Sequence, residues 1–346
     1  MNGLLFCGGK NMKRNQTFRT IAASLAVICL VAGFTLFAGC GGGKAKSNKI
    51  VIAACMQGNQ SGFVRYMVSG MYEYQKAHAP EIELKVVYAD DDPAKQQSQV
   101  EQFVSEKVNA IILNPVDKVQ SAAAVDFAAA NKVPLITINT ISDSKNVTAH
   151  VGSDDIESGT LQMERLLKVA PDNPRVAYIN AVIGHSAQVL REQAYKQVLA
   201  KHPHRFIVQN TADWSGEKAL VLVENWIQTY RKGNDPGIDL IAVHADCILA
   251  GAITAVENAG FAGKILLGGM DCDMPVMDKI KAGVVDNSIW QDGLGQGEWA
   301  LRLAIDAANG KTIRDHIIPF EVCTIDNVDS YIRQAEARNA LAAKYF

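Results

Sequence analysis

The chain has 346 residues, a formal net charge of −2 at pH 7 and 48% hydrophobic residues. This near-neutral balance, with no basic run, argues against a nucleic-acid-binding protein, which requires clustered lysine and arginine. The length that remains once an export signal is set aside suggests two lobes.

The first forty residues have the pattern of an export signal. Basic residues between Lys10 and Arg19 precede an uncharged apolar run, IAASLAVICLVAGFTLF, at 21–37. The run is shorter than the roughly 20 apolar residues of a membrane-spanning helix, and small residues follow it. The pattern predicts a signal peptide over 1–39, with a transmembrane anchor as the alternative.

The end of this segment, FAGC at 37–40, resembles a lipobox, in which a signal peptidase cuts before a cysteine that carries lipid. The resemblance implies lipidation at Cys40 and a tether over 40–48. The mature chain would then be exported and anchored by lipid to the outer face of the cytoplasmic membrane.

Beyond Cys40 the cysteines are widely scattered, and none forms a C-x-x-C pair. This spacing indicates neither a zinc cage nor a disulfide scaffold, so we expect free or buried thiols and no metal. There is also no calcium loop of the D-x-D-x-D-G type, and no cofactor is predicted. The cysteines concerned are Cys55, Cys247, Cys272 and Cys323.

After the tether, short β-branched runs alternate with longer amphipathic stretches. Near-continuous apolar strands that alternate with helices are typical of parallel sheets covered on both faces. A single sheet would be unusually wide, and a helix start capped by Asp154 or Ser153 interrupts the pattern near 148–155. We therefore expect an α/β fold with two doubly wound parallel-sheet lobes. The predicted strands are 49–55, 82–88, 110–113, 134–138, 175–181, 205–209, 238–243, 264–268 and 285–290.

Polar and aromatic side chains follow the carboxyl ends of these strands. In doubly wound sheets the ligand lies beyond those ends. Hydrogen-bonding groups together with flat apolar faces suit a small polyhydroxylated ligand. The residues are Phe63, Asn114, Asn139, His185, Trp214, Asp246, Asp271 and Gln291.

One stretch allows a different hypothesis, because a strand-like run that ends at Gly184 leads through His185 and Ser186 into a helix. This is nearly the strand, turn and helix of a nucleophile elbow. An elbow needs a small residue two positions after the serine, however, and Gln188 is bulky. We therefore expect Ser186 to cap the helix and His185 to face the cleft, and an exported serine hydrolase is the least favoured hypothesis.

From residue 49 to about 328 the chain resembles the type I periplasmic sugar-binding proteins, the ribose- and galactose-binding group of ABC transporter receptors. The resemblance implies a non-enzymatic receptor whose two lobes, joined by a multi-strand hinge, close on one sugar and deliver it to a membrane permease. It is carried, in the family's order, by INAVIGHSAQVLREQAY (179–195), TADWSGEKAL (211–220), AVHADCILAGAITAVENAG (242–260), LLGGMDCDMP (266–275) and NSIWQDGLGQG (287–297).

The same resemblance implies the limits of the lobes. The N-terminal lobe would comprise 49–150 and about 292–320, and the C-terminal lobe 151–291 and about 321–338. A tail over 339–346 would follow as part of an amphipathic helix. The expected partners are an ABC permease and, as an alternative use, a membrane chemoreceptor or signalling protein. We expect a monomer.

The binding residues are closest in pattern to the galactose/glucose-binding branch. His185 and Arg191 stand where that branch places a histidine and an arginine that bond sugar hydroxyls. Trp214 and Phe63 match aromatics that cover the two sugar faces, and Asp271 matches a carboxylate that accepts from two hydroxyls. Asn139 also matches that branch, and Asp246 and Gln291 complete the expected set. The pattern favours a hexose such as galactose or glucose.

Four positions depart from the branch. Ser61 and Ala187 replace aspartates, Ala245 replaces an asparagine, and Gln291 replaces a final asparagine. A site with fewer carboxylates and amides leaves a polyol, an inositol or another small ligand open as alternatives.

Overall fold

The computed structural model describes residues 49–58 and 62–346. The predicted signal peptide, Cys40, the tether and Ser61 lie outside the described residues. Within them, no helix combines the length and apolar character required to cross a membrane. The cysteines at 55, 247, 272 and 323 are free thiols, as expected.

Two six-stranded sheets organise the described chain, and this confirms the predicted two-lobed α/β fold. All nine predicted strands are present, and three short ones were missed: β5, β11 and β12. The strands are β1 Val51–Met56, β2 Glu83–Tyr88, β3 Ala110–Leu113, β4 Leu135–Ile138, β5 Ala149–Gly152, β6 Arg175–Asn180, β7 Arg205–Thr211, β8 Leu240–Val243, β9 Leu266–Met270, β10 Asn287–Trp290, β11 His316–Ile317 and β12 Glu321–Thr324.

Ten helices in the described residues cover these sheets. The helix after β5 begins where the sequence places it, because the Asp154 carboxylate accepts from the backbone N–H groups of Ile156 and Glu157. The helices are α1 Gly62–His78, α2 Pro93–Ser105, α3 Ser121–Ala130, α4 Asp155–Val169, α5 Ser186–Leu199, α6 Gly216–Tyr230, α7 Asp246–Asn258, α8 Met274–Lys281, α9 Gly293–Ala308 and α10 Val328–Ala342.

The first sheet has the order β11-β5-β4-β3-β1-β2 and is parallel throughout. The second has the order β12-β10-β9-β8-β6-β7, and β12 alone runs antiparallel, against β10. Strands β3, β4, β8 and β10 are buried along their whole length, as expected for strands with helices on both faces. We call each sheet with its helices a lobe, the first lobe and the second lobe.

The described chain passes between the lobes at three places: between β5 and α4, between β10 and α9, and between β11 and β12. Helix α9 thereby returns to the first lobe and packs on α1 and on strands β3 to β5. Because three segments cross side by side, the lobes are joined by a multi-strand hinge and not by a single linker.

Helices α1 and α9 approach so closely that glycine is required where they touch. A Cβ added to Gly297 would lie 1.8 Å from the Met67 carbonyl oxygen, and one added to Gly70 would lie 2.1 Å from the Leu294 carbonyl oxygen. The two glycines therefore set the distance between the helices that form one face of the first lobe.

Replacement of Gly297 by alanine should destabilise the protein by about 3 kcal/mol, because backbone atoms cannot move aside without separating the helices. Thermal unfolding followed by circular dichroism measures the effect. Gly260→Ala is the control: φ there is +72° but nothing lies within 4 Å of the added Cβ, so only about 1 kcal/mol should be lost. Equal losses in the two variants would contradict the argument.

Candidate functional site

A cavity of about 180 Å³ lies between the lobes, at the carboxyl ends of the strands of both sheets. It is small beside the roughly 300–1,000 Å³ of drug-sized sites and suits one small ring. Its lining combines two aromatic rings, amides, one guanidinium and three carboxyl groups. The residues are Gln57, Gly58, Gly62, Phe63, Val64, Asp91, Asn139, His185, Ala187, Arg191, Trp214, Ala245, Cys247, Asp271, Asp273 and Gln291.

The structure brings together all but two of the residues predicted from the sequence. Phe63 and Asn139 come from the first lobe, His185, Arg191, Trp214 and Asp271 from the second, and Gln291 from a crossing segment. Ala187 and Ala245 also line the cavity, so with Gln291 three of the four departures from the galactose/glucose pattern lie at the site itself. Asn114 and Asp246 do not line it; the Asn114 amide instead donates to the Ile138 carbonyl and to Thr140 Oγ1.

Four of the lining residues have a left-handed backbone. The φ angles are +59° at Asp91, +62° at Asn139, +60° at Trp214 and +104° at Asp271. Each follows a strand, and non-glycine residues hold such angles only where their surroundings over-determine them. The strained strand ends place an amide, an indole and two carboxyl groups at one cavity.

His185 is the N-cap of α5, and this corrects the prediction that Ser186 caps the helix. The Ala187 N–H donates to His185 Nδ1 over 3.3 Å, which places the proton on Nε2. That Nε2–H donates to Gln57 Oε1 of the first lobe over 3.1 Å. Burial, and secondarily Arg191, lowers the pKa of His185 to about 3, so the ring is neutral.

Ser186 is 1% exposed and its Oγ accepts from the Ile141 N–H of the first lobe over 3.2 Å. Nearby, the Lys118 N–H donates to the Gly184 carbonyl over 3.1 Å. The loop 184–186 thus joins the two lobes beside the cavity. The serine takes part in this contact and is not presented to a substrate as a nucleophile.

Arg191 is a cavity residue with a buried partner that the sequence did not reveal. Its Nε donates to Asp155 Oδ1 over 2.9 Å and its Nη1 to the His244 carbonyl over 2.6 Å. Arg191 is 4% and Asp155 6% exposed. Burial raises the pKa of Asp155, and the guanidinium opposes that shift. The pair fixes the arginine in place, so it offers its remaining donors from a rigid position.

The Asp246 carboxyl group makes hydrogen bonds that hold the turn carrying Asp271. Asp246 is 1% exposed; its carboxyl oxygens accept from Ser288 Oγ, at 2.9 and 3.0 Å, and from the Asp273 N–H at 2.9 Å. These bonds hold the side chain under the turn, and this is why Asp246 does not reach the cavity. Ser288 Oγ in turn accepts from the Cys272 N–H over 3.1 Å.

Burial raises the pKa of each of the three carboxyl groups that line the cavity. Burial, and then the charge of Asp273, raises the pKa of Asp271 to about 7, while Arg191 and Arg338 oppose the shift. Burial also raises the pKa of Asp273 and, together with Asp90, that of Asp91. Asp271 therefore changes its charge near neutral pH.

Four polar or reactive residues of the lining are not among those predicted from the sequence: Gln57, Asp91, Cys247 and Asp273. Gln57 directly follows β1, and Asp91 lies three residues after the end of β2. The rule that ligands lie beyond strand ends, applied to every strand, would have found both. Among the described residues, no group of three or more His, Cys, Asp or Glu side chains is arranged to hold a metal ion.

The comparisons with known proteins agree with this geometry. A model of the periplasmic binding protein domain matches residues 52–312. The chain belongs to this family. The fold and the relatives make it a type I periplasmic binding protein of the sugar ABC transporter group, a non-enzymatic transport receptor that acts on the exported side of the membrane.

Three similar proteins illustrate the relationship. A putative rhizopine-binding protein of Rhizobium meliloti is 29% identical over 291 residues, which cover 81% of this chain and 92% of that protein. A xylitol-binding protein of Mycolicibacterium smegmatis is 27% identical, covering 78% and 76%. The crystal structure of a Bacillus halodurans ABC transporter solute-binding protein with bound myo-inositol is 32% identical, has a TM-score of 0.79 and covers 84% and 99%.

The buried ion pair gives a stability prediction. Arg191→Met should destabilise the ligand-free protein by about 3–5 kcal/mol, because it leaves the Asp155 charge buried and unpaired. The double variant Asp155→Asn/Arg191→Met removes that charge and should be more stable than the single variant. Urea unfolding of the double variant and of the single variants Arg191→Met and Asp155→Asn measures the free energies of unfolding. If the loss in the double variant equals the sum of the losses in the two single variants, the pairing is contradicted.

Proposed function

We propose that the protein is a lipid-anchored receptor that binds one polyhydroxylated ring, a cyclitol in preference to galactose or glucose, and delivers it to an ABC permease. The observation that carries the proposal is the composition of the cavity, in which aromatic rings from both lobes accompany three carboxyl groups. The lobe limits and the lipid at Cys40 inferred from the sequence are part of the proposal.

The aromatic residues would cover the two faces of such a ring. Phe63 lines the cavity from the first lobe and Trp214 from the second. The Trp214 indole meets His185 edge to face, with ring centroids 5.0 Å apart and planes at 80°, so its orientation is fixed by packing. Apolar C–H faces of a polyhydroxylated ring pack well on such surfaces.

The carboxyl groups favour a ring whose whole rim consists of hydroxyls. Asp271, when ionised, only accepts hydrogen bonds and so needs a donor from the ligand, whereas Asp91 is exposed and Asp273 lies 4.0 Å from Arg338 Nη2. A cyclitol provides a hydroxyl at every ring carbon, whereas a pyranose has a ring oxygen that can only accept. A buried acceptor without a donor costs binding free energy. The relative with bound myo-inositol supports the same class.

A hexose is the second candidate, because the matches at Phe63, Asn139, His185, Arg191 and Asp271 follow the galactose/glucose branch. Ala187 and Ala245 weigh against it. Each lines the cavity where that branch carries a polar side chain, and each removes hydrogen-bonding partners for the hexose.

Isothermal titration of the exported domain from Lys44 with inositols, linear polyols, pentoses and hexoses tests the proposal. We expect saturable binding that is tightest for a cyclitol. Tightest binding to galactose or glucose would favour the second candidate, and absence of binding to every compound would refute a receptor for polyhydroxylated ligands.

Variants of the cavity should weaken binding by amounts that follow their contacts. Trp214→Ala should cost about 10- to 100-fold in affinity through lost ring stacking, and Asp271→Asn about 100-fold through lost charge-assisted hydrogen bonds. Trp299→Phe is the matched control, because Trp299 stacks on His316 outside the cavity, with ring centroids 3.7 Å apart. Its affinity should equal that of the unchanged protein.

Binding should also depend on pH. The ligand's hydroxyls donate to ionised Asp271, so binding competes with protonation at its pKa of about 7. Affinity should be constant above about pH 8 and fall as the pH is lowered to 6. His185 stays neutral over this range. Titration of Asp271→Asn at the same pH values should give a nearly flat profile; an unchanged slope would assign the effect to another group.

A further inference from the structure

Helix α10 belongs to the second lobe but ends on the first. Val328, Tyr331 and Ala335 in its first turns are part of the core of the second sheet, and Tyr331 Oη donates to Glu321 Oε2 over 2.7 Å. Residues 338–346, which we call the C-terminal strap, then contact α1 of the first lobe. This segment lies beyond the residues matched by the family model, 52–312.

The strap makes polar and aromatic contacts along α1. Tyr66 Oη donates to Asn339 Oδ1 over 2.6 Å, and Tyr345 Oη donates to Glu73 Oε1 over 2.7 Å. The rings of Tyr345 and Tyr72 stack with centroids 5.0 Å apart. These contacts tie α1, which begins next to the cavity residue Phe63, to a helix rooted in the opposite lobe.

Arg338 joins the strap to the cavity. Its guanidinium lies between the rings of Tyr66, 4.0 Å from the centroid, and Trp290, 4.5 Å from the centroid. Its Nη1 donates to the Asp271 carbonyl over 3.2 Å and its Nη2 to the Cys272 carbonyl over 3.1 Å. Arg338 is 2% exposed. One side chain thus contacts α1, the end of β10 and the turn that presents a cavity carboxylate.

The two carbonyls that accept from Arg338 belong to strained residues. Asp271 has φ +104° and Cys272 φ +50°, angles that non-glycine residues adopt only under constraint. The N–H groups of Cys272 and Asp273 are held by Ser288 and Asp246, so Arg338 supplies the constraint on the carbonyl side of the turn. The planar fork of a guanidinium can serve both carbonyls at once, which a lysine ammonium cannot do with fixed geometry.

From these contacts we propose that Arg338 is a positioning residue for Asp271 and that the C-terminal strap holds the lobes together, so that the strap sets how long the ligand stays bound. This role in ligand retention rests on the proposed function. The geometric role does not: loss of Arg338 loosens the turn 271–273 and loss of the strap separates the lobes even in ligand-free protein.

Hydrogen exchange of ligand-free protein tests the positioning role. In Arg338→Met the amides of residues 271–273 should exchange about 10-fold faster, because their turn loses its carbonyl-side donors. Arg338→Lys, which keeps a donor without the fork, should fall between. Arg333→Gln, an exposed arginine on the same helix, is the matched control and should leave exchange unchanged. Unaltered exchange in Arg338→Met would overturn the proposal.

Deletion of residues 343–346 tests the end of the strap without touching a buried charge, because it removes the Tyr345 contacts with Glu73 and Tyr72. If Arg338→Met does not fold, the exchange of Arg338→Lys decides the positioning role. Small-angle X-ray scattering of the ligand-free deletion variant should show a larger radius of gyration, and an unchanged radius would refute the strap.

Stopped-flow measurement on the tightest ligand of the panel should show dissociation about 10-fold faster in Arg338→Met with a nearly unchanged association rate. An unchanged dissociation rate would overturn the role in retention. If no compound binds the unchanged protein, the proposed function fails, while altered exchange and scattering would still establish the strap.

Discussion

The pairing of Asp155 with Arg191 is the interaction on which the rest of the site depends. Asp155 begins α4 directly after the first crossing segment, and Arg191 lies on α5 and also donates to the carbonyl at the end of β8. Two buried charges are tolerated only if they are paired and hydrogen-bonded. By satisfying each other they fix the crossing segment, a helix and a strand end around one cavity, and they leave the guanidinium rigid at its wall.

The turn that carries Asp271 is also held by buried polar groups that are hydrogen-bonded to one another. The Asp246 carboxyl oxygens accept from Ser288 Oγ and from the Asp273 N–H, and Arg338 donates to the carbonyls of the turn. The backbone at Asp271 is therefore held by Asp246, Ser288 and Arg338, which do not line the cavity. The cavity thus consists of a few exposed functional atoms on a support of buried, hydrogen-bonded side chains. A ligand need only supply donors to the carboxyl groups that the protein itself leaves turned toward the space.

Much of this arrangement could be predicted from the sequence, because alternating apolar runs and amphipathic stretches define strands, helices and strand ends. The strands β5 and β11 were missed because they are short, each contains a histidine, His150 or His316, and polar residues precede them. The rule that ligands lie beyond the carboxyl ends of strands misplaced Asp246, because it does not reveal whether a side chain there points into the cleft or toward the next turn. Asp155 and Arg191 are 36 residues apart, and no local pattern links them.

Because the chain passes between the lobes more than once, the first lobe cannot be completed as soon as its first strands are synthesised. The α1 face of the first lobe is completed only by α9, once residue 308 has emerged, and its sheet only by the edge strand β11, once residue 317 has emerged. Contacts between segments more than 200 residues apart form slowly, because a long loop must close before they contribute. For an exported chain this means that the first lobe, although five of its strands are made early, is completed only when nearly the whole polypeptide is present.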